Sequence, residues 1–144
     1  MSDALRRRAI RLLARREHTR AELLDKLAPH GAPAEIESVL NELASRGFQS
    51  DARFAESYLR SQAARLGAAR LRQALRTRGV EAALIDSQME KAALPDELEA
   101  TRAVWSRKFA APPADAREWA RQARFLQGRG FSAETIRKLL NEYR

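Results

Sequence analysis

The chain has 144 residues, with 27 Lys and Arg against 19 Asp and Glu, a formal net charge of +8, and no cysteine. A composition of 44% apolar and 32% charged residues is that of a folded protein, and the missing cysteines exclude disulfides, thiolate nucleophiles and the usual structural zinc sites. No apolar run approaches the roughly 20 residues that span a bilayer. The segment Ala4-Leu5-Arg6-Arg7-Arg8 lacks the apolar core of a signal peptide, so a cytoplasmic protein with no membrane partner is expected.

The first helix is predicted from about Asp3 to Glu17, with Leu5, Ala9, Leu12 and Leu13 on one face and Arg8, Arg11 and Arg15 on another. Thr19-Arg20-Ala21-Glu22 has the form of a capping box and starts the second, which carries Leu23, Leu24 and Leu27 and stops at Pro29 and Gly31. A third begins near Pro33, a favoured first-turn residue, and presents Ile36, Val39, Leu40 and Leu43. After Gly47, Ser50 or Asp51 caps a fourth helix with Phe54, Ala55, Tyr58 and Leu59, ending near Gly67. Leu71 and Leu75 mark the fifth, which stops at Gly79, and Leu84, Ile85, Gln88 and Met89 the sixth, which ends before Pro95. The seventh has Asp96, Glu97 and Glu99 in its first turn, where the helix dipole favours acids, then Leu98, Trp105 and Phe109. Beyond the short loop Ala111–Ala114, the eighth runs through Trp119, Ala123 and Leu126 to Gly130, and Ser132 caps a ninth with Ile136, Leu139, Leu140 and Tyr143. Nothing in the pattern suggests a strand.

The helices form a repeat. Leu-x3-Gly followed by an Ile occurs at Leu27–Gly31–Ile36, Leu75–Gly79–Ile85 and Leu126–Gly130–Ile136. A period near fifty residues without β patterning predicts an all-α chain of three tandem three-helix units, over 1–50, 51–94 and 95–144. The glycines read as helix stops that set the angles between helices.

Charge follows the repeat. Seven Arg against Asp3 and Glu17 make residues 1–20 net +5, and seven against Glu56 alone make residues 53–80 net +6. Residues 102–129 are net +5, while the intervening 21–52 and 81–101 are net −4 and −5. A line of basic segments predicts a polyanionic partner, with mutual neutralisation between stacked units as the bland alternative. The candidate contact residues are Arg8, Arg11 and Arg15; Arg60, Arg65, Arg70, Arg72 and Arg76; and Arg121 and Arg124.

No catalytic constellation emerges: there is no phosphate-binding Gly-rich loop, no H-E-x-x-H and no Gly-x-Ser-x-Gly. The chain is therefore expected not to be an enzyme and to use no cofactor or metal. His18 and His30, the only histidines, lie near helix ends and read as solvent-exposed residues near the negative end of a dipole. Phe54, Tyr58, Trp105, Phe109 and Trp119 fall on apolar stripes and read as core rather than base-stacking platforms.

Four segments resemble the bacterial recombination regulator RecX family. They are Arg16-Glu17-His18-Thr19-Arg20-Ala21-Glu22-Leu23-Leu24-Asp25-Lys26-Leu27; Leu43-x3-Gly47-Phe48-x2-Asp51-x2-Phe54-Ala55-x2-Tyr58; Gly67-x3-Leu71-x3-Leu75-x3-Gly79-Val80; and Arg124-Phe125-Leu126-Gln127-Gly128-Arg129-Gly130-Phe131-Ser132. The departures are Gln62 and Ala69, where a basic residue and Pro are expected, and the loop Ala111–Ala114, which lengthens the third unit. The resemblance implies an elongated, curved array of three-helix repeats that binds the RecA–DNA filament. It also implies that ATP hydrolysis, strand exchange and SOS-related activity are limited, with single- and double-stranded DNA bound non-specifically. A monomer is expected. The residues alone leave two rivals: a helix-turn-helix regulator binding one duplex sequence, and a protein-binding helical scaffold.

Overall fold

The structure, a computed structural model, describes residues 2–143. Among them are nine α-helices and no strand: α1 (Ser2–Arg15), α2 (Arg20–Leu27), α3 (Pro33–Ser45), α4 (Asp51–Gln62), α5 (Ala68–Thr77), α6 (Ala82–Lys91), α7 (Glu97–Lys108), α8 (Ala116–Gly128) and α9 (Ala133–Asn141). No helix among the described residues is long and apolar enough to cross a membrane. The chain divides into two compact units, Met1–Tyr58 with Leu75–Lys91 (unit 1) and Leu59–Ala74 with Ala92–Arg144 (unit 2).

In unit 1, α1, α2 and α3 pack on one another around Leu5, Ala9, Leu23, Leu27, Ile36, Val39, Leu40 and Leu43, all buried. The expected extension of α1 to Glu17 gives way to a turn that brings Thr19 into capping position. Glu22 N donates to Thr19 Oγ1 at 3.0 Å, and Thr19 N donates to Glu22 Oε1 at 2.9 Å, completing the capping box. Burial alone would raise the Glu22 pKa, but the Arg16 guanidinium and the Thr19 amide hold it below the usual carboxylate range.

His18 is not exposed, as its place near a helix end suggested, but 2% exposed. Its Nδ1 lies 3.0 Å from the Arg16 carbonyl, which can only accept, so Nδ1 carries the proton. Nε2 then faces the Lys26 ammonium at 3.4 Å as an acceptor. Burial pushes the His18 pKa down, so the neutral ring is the form the fold holds. Beside it Gln49, also buried, donates from Nε2 to Asp51 Oδ1 at 2.9 Å, and the Arg20 amide donates to the same oxygen at 2.8 Å. Asp51 thus serves the start of α2, and Ser50 caps α4 by accepting from Arg53 N at 3.1 Å.

In unit 2, α7, α8 and α9 pack together around Val104, Trp105, Phe109, Leu126, Phe131, Ile136, Leu139 and Leu140. Asp96, Asp115 and Ser132 cap the three helices. Gln122, 1% exposed, accepts from Trp105 Nε1 at 2.7 Å and donates to the Ala111 carbonyl at 3.2 Å, fastening the Pro-rich loop to α8. Phe54, Trp105 and Phe109 are buried as expected, while Tyr58 and Trp119 are half-buried.

Two joints of the same kind recur, one inside each unit. In unit 1 the Thr19 hydroxyl, at the start of α2, donates to the Arg78 carbonyl, at the end of α5, at 2.6 Å. In unit 2 the Gly67 amide, at the start of α5, donates to the Arg129 carbonyl, at the end of α8, at 2.7 Å. Gly79 (φ +90°) and Gly130 (φ +94°) follow those carbonyls in the left-handed region that favours glycine. Gly31 differs from the reading as a third helix stop. It is extended (φ −171°) after a 3₁₀ turn at Ala28–His30, and a Cβ there would lie 2.7 Å from Leu5 Cδ1.

Candidate nucleic-acid interface

The ten arginines singled out by charge pattern lie on the helices as follows. Arg8, Arg11 and Arg15 lie on α1, Arg60 on α4, Arg65 in the α4–α5 connection, Arg70, Arg72 and Arg76 on α5, and Arg121 and Arg124 on α8. All are exposed except Arg8 and Arg72, which are half-buried. Among the described residues, no acid pairs with Arg8, Arg11, Arg15, Arg65, Arg70, Arg76 or Arg124. Arg60 and Arg72 have further interactions of their own.

Arg121 is committed elsewhere. Its NH2 and Nε donate to the two Glu118 carboxylate oxygens at 2.7 and 2.9 Å, and its guanidinium lies 5.0 Å from the Phe109 ring centroid. The Arg121 and Gln122 hydrogen bonds lower the Glu118 pKa to about 2. A two-pronged pair of this kind leaves few donors for an outside anion.

In unit 1, the expected residues Arg8 and Arg11 line a pocket of about 260 Å3 with Ala4, Leu5, Arg7 and His30. No acid contributes to its wall. The contrast on the same helix is Arg6, which reaches Glu42 and Asp3 and whose pKa those hydrogen bonds raise.

Unit 2 brings Arg65 together with residues that charge pattern had not singled out. Arg65, Val104, Arg107, Lys108, Phe125 and Arg129 line one pocket of about 360 Å3. Lys108 Nζ lies 5.3 Å, and the Arg129 guanidinium 5.2 Å, from the Phe125 ring centroid. Arg107 is held by its own helix and by the α4–α5 connection: Nε donates to the Ala103 carbonyl at 3.2 Å and NH2 to the Ala64 carbonyl at 3.3 Å. Arg70, nearby in sequence to Arg65, instead reaches the Gly128 carbonyl at 3.5 Å. The sequence offered one hint, Phe125 and Arg129 within the fourth of the segments that carry the family resemblance. Arg107 and Lys108 were hidden because two cations in a last helical turn are already explained by the dipole.

All the polar side chains on these two walls are donors, and almost all are permanently charged. Such walls suit anions.

Three profiles of one family match the chain: "RecX, first three-helix domain" over residues 6–43, "RecX, second three-helix domain" over 50–88, and "RecX, third three-helix domain" over 95–140. The chain is 51% identical over 138 residues to "Regulatory protein RecX" of Leptothrix cholodnii, covering 95% of this chain and 87% of that protein. It is 50% identical over 139 residues to the protein of the same name in Halorhodospira halophila, covering 94% and 86%. Its fold is similar to that in the crystal structure of RecX from Lactobacillus salivarius, with a TM-score of 0.81 at 19% identity over 98% of this chain and 95% of that one.

Proposed function

The chain belongs to the RecX family, and we propose that it is a non-enzymatic regulator that binds the RecA–DNA filament and limits recombinase ATP hydrolysis and strand exchange. The observation that carries this reading is the set of arginines without acid partners among the described residues, Arg8, Arg11 and Arg15 on α1 and Arg70 and Arg76 on α5. A folded chain gains nothing from grouping like charges, which repel by a few tenths of a kcal/mol when four apart on a helix. A polyanion reverses that sign, and a recombinase filament carries DNA phosphates along its whole length.

On this reading the basic faces rest on DNA phosphate and adjacent recombinase surface, with affinity falling steeply as salt rises. The protein acts in the bacterial cytoplasm as a monomer, contacts single- and double-stranded DNA without sequence preference, and through the recombinase influences the SOS response. The test is a recombinase ATPase assay on single-stranded DNA with and without the protein. Sub-micromolar protein suppresses the ATPase activity; no loss of activity rejects the reading. Tight binding to one duplex sequence without recombinase would favour a helix-turn-helix regulator instead.

A further inference from the structure

We propose that the pocket of Arg65, Arg107, Lys108, Phe125 and Arg129 in unit 2 is a subsite for the phosphodiester backbone of a nucleic-acid strand. The proposal deepens the reading of the chain as a DNA-contacting regulator, and rests on it. Three features of the pocket select this ligand.

The first is charge. Four cations share one wall, and among the described residues none of them is in an ion pair and no carboxylate lines the space. Gathering them is unfavourable without an anion to occupy the pocket.

The second is preorganisation. Arg107 is tethered to two backbone carbonyls, and Lys108 and Arg129 rest over the same aromatic ring. The Phe125 ring is itself fixed by an edge contact with Phe109 at 5.5 Å and 89°. The backbone of Arg129 is fixed as well, since its carbonyl accepts from the Gly67 amide. Cations held in place lose less freedom on binding than free surface lysines.

The third is the kind of hydrogen-bonding group. The polar side chains lining the pocket only donate, and the Ala64 and Ala103 carbonyls already accept from Arg107. An acidic peptide would bring backbone N–H groups that find no acceptor here. A phosphodiester backbone brings acceptors and one negative charge per unit. Lys108 and Arg129 lie over the Phe125 ring, so it serves to hold them rather than to stack a base. Recognition is therefore of backbone and not of base. A space of about 360 Å3 has room for a nucleotide unit rather than a lone phosphate group.

The test uses the full chain without recombinase, a fluorescein-labelled oligothymidylate, and a fluorescein-labelled oligoglutamate, each titrated at several KCl concentrations. The triple variant Arg65→Ala/Lys108→Ala/Arg129→Ala removes three exposed cations and leaves Arg107, whose tethers join two segments of the fold. Its DNA affinity falls about tenfold or more, and the slope of log K against log salt becomes shallower by about two. Phe125→Leu keeps every charge but removes the ring that holds two of them, and weakens binding several-fold with little change in slope. An unchanged affinity and slope in the triple variant overturns the subsite, as does a wild-type chain that binds oligothymidylate without salt dependence. Tighter binding of oligoglutamate than of oligothymidylate, lost in the triple variant, also overturns it, in favour of an acidic peptide. If recombinase inhibition persists while the DNA slope is unaffected by the variant, the subsite alone fails. If the slope responds but the wild-type protein does not inhibit the recombinase, the filament reading alone fails.

Discussion

A Cβ placed on Gly67 would lie 2.3 Å from the carbonyl oxygen of Gly130. The start of α5 and the end of α8 therefore meet backbone to backbone, close enough for the Gly67 amide to bond the Arg129 carbonyl. Gly130 is constrained from its own side, since its missing Cβ would sit 2.5 Å from Arg70 N and its φ is +94°. Nothing at either position is a flexible side-chain end that could swing away.

Gly67→Ala and Gly130→Ala are each expected to destabilise unit 2 by about 3 kcal/mol, through overpacking and, at Gly130, an unfavourable φ. Gly128→Ala is the control. It lies in α8 with nothing within 4 Å of its Cβ position, so the change stabilises by up to about 1 kcal/mol. Urea unfolding followed by tryptophan fluorescence reports on unit 2, because Trp105 and Trp119 both lie there. Equal effects at positions 67, 128 and 130 would contradict the joint.

Thr19 carries three roles in one hydroxyl-bearing residue: it caps α2, receives the Glu22 carboxylate on its amide, and donates to Arg78. Thr19→Ala removes the cap, worth about 1 kcal/mol, and the hydroxyl's bond to the Arg78 carbonyl, for a loss of about 2 kcal/mol in all. Thr19→Ser retains the hydroxyl and recovers most of it. Unfolding followed by circular dichroism checks both, and a Ser variant no better than Ala would show that the methyl packing, not the hydrogen bonds, matters.

His18 makes unit 1 sensitive to acid. Its folded pKa lies below the ordinary 6.5, with burial as the largest cause. In the window between that lowered value and 6.5 the unfolded chain binds the proton and the folded one does not, so stability falls as pH drops through this range. Above 6.5 the effect vanishes, and below the folded pKa it stops growing. Protonation would also set an imidazolium N–H against the Lys26 ammonium, now 3.4 Å from Nε2. Melting temperature against pH should show a decline below 6.5 that His18→Gln flattens; identical profiles for the two proteins would remove His18 as the cause.

The helices and several caps were legible in the sequence because their signals are local. Thr19 with Glu22, Pro33 and Ser132 each announce a helix start within four residues, and the Leu-x3-Gly spacing announced the repeat. What could not be read depends on distant partners. His18 looks like an end-of-helix residue until Gln49, 31 positions away, donates to its carbonyl beside the ring. Gly31 matches Gly79 and Gly130 in spacing, yet its neighbour is Leu5 of α1 and its backbone is extended. The unit 2 pocket draws on Arg65, the end of α7, Phe125 and Arg129, a set with no common spacing and with cations that a helix dipole already explains. Charge density located the basic segments; only packing decides which cations pair, as Arg121 does, and which remain for a ligand.

That distinction sharpens the expectation for the middle repeat. Arg72 and Arg76 stand four apart on α5, and reversing both places two negative charges where the filament reading puts phosphate. Arg72→Glu/Arg76→Glu should weaken binding to recombinase on single-stranded DNA and make its salt dependence shallower by about two on a log–log plot. Arg76 is exposed and Arg72, which has interactions of its own, only half-buried, so the helix should persist and circular dichroism of the variant should match that of the parent. Arg121→Glu makes a useful comparison, because Arg121 is already paired with Glu118 and its loss should leave the salt slope nearly unchanged. An inhibition curve that does not move for the α5 double variant takes this face of α5 out of the contact surface and leaves α1 and the unit 2 pocket, to which Arg65 belongs, as the remaining candidates.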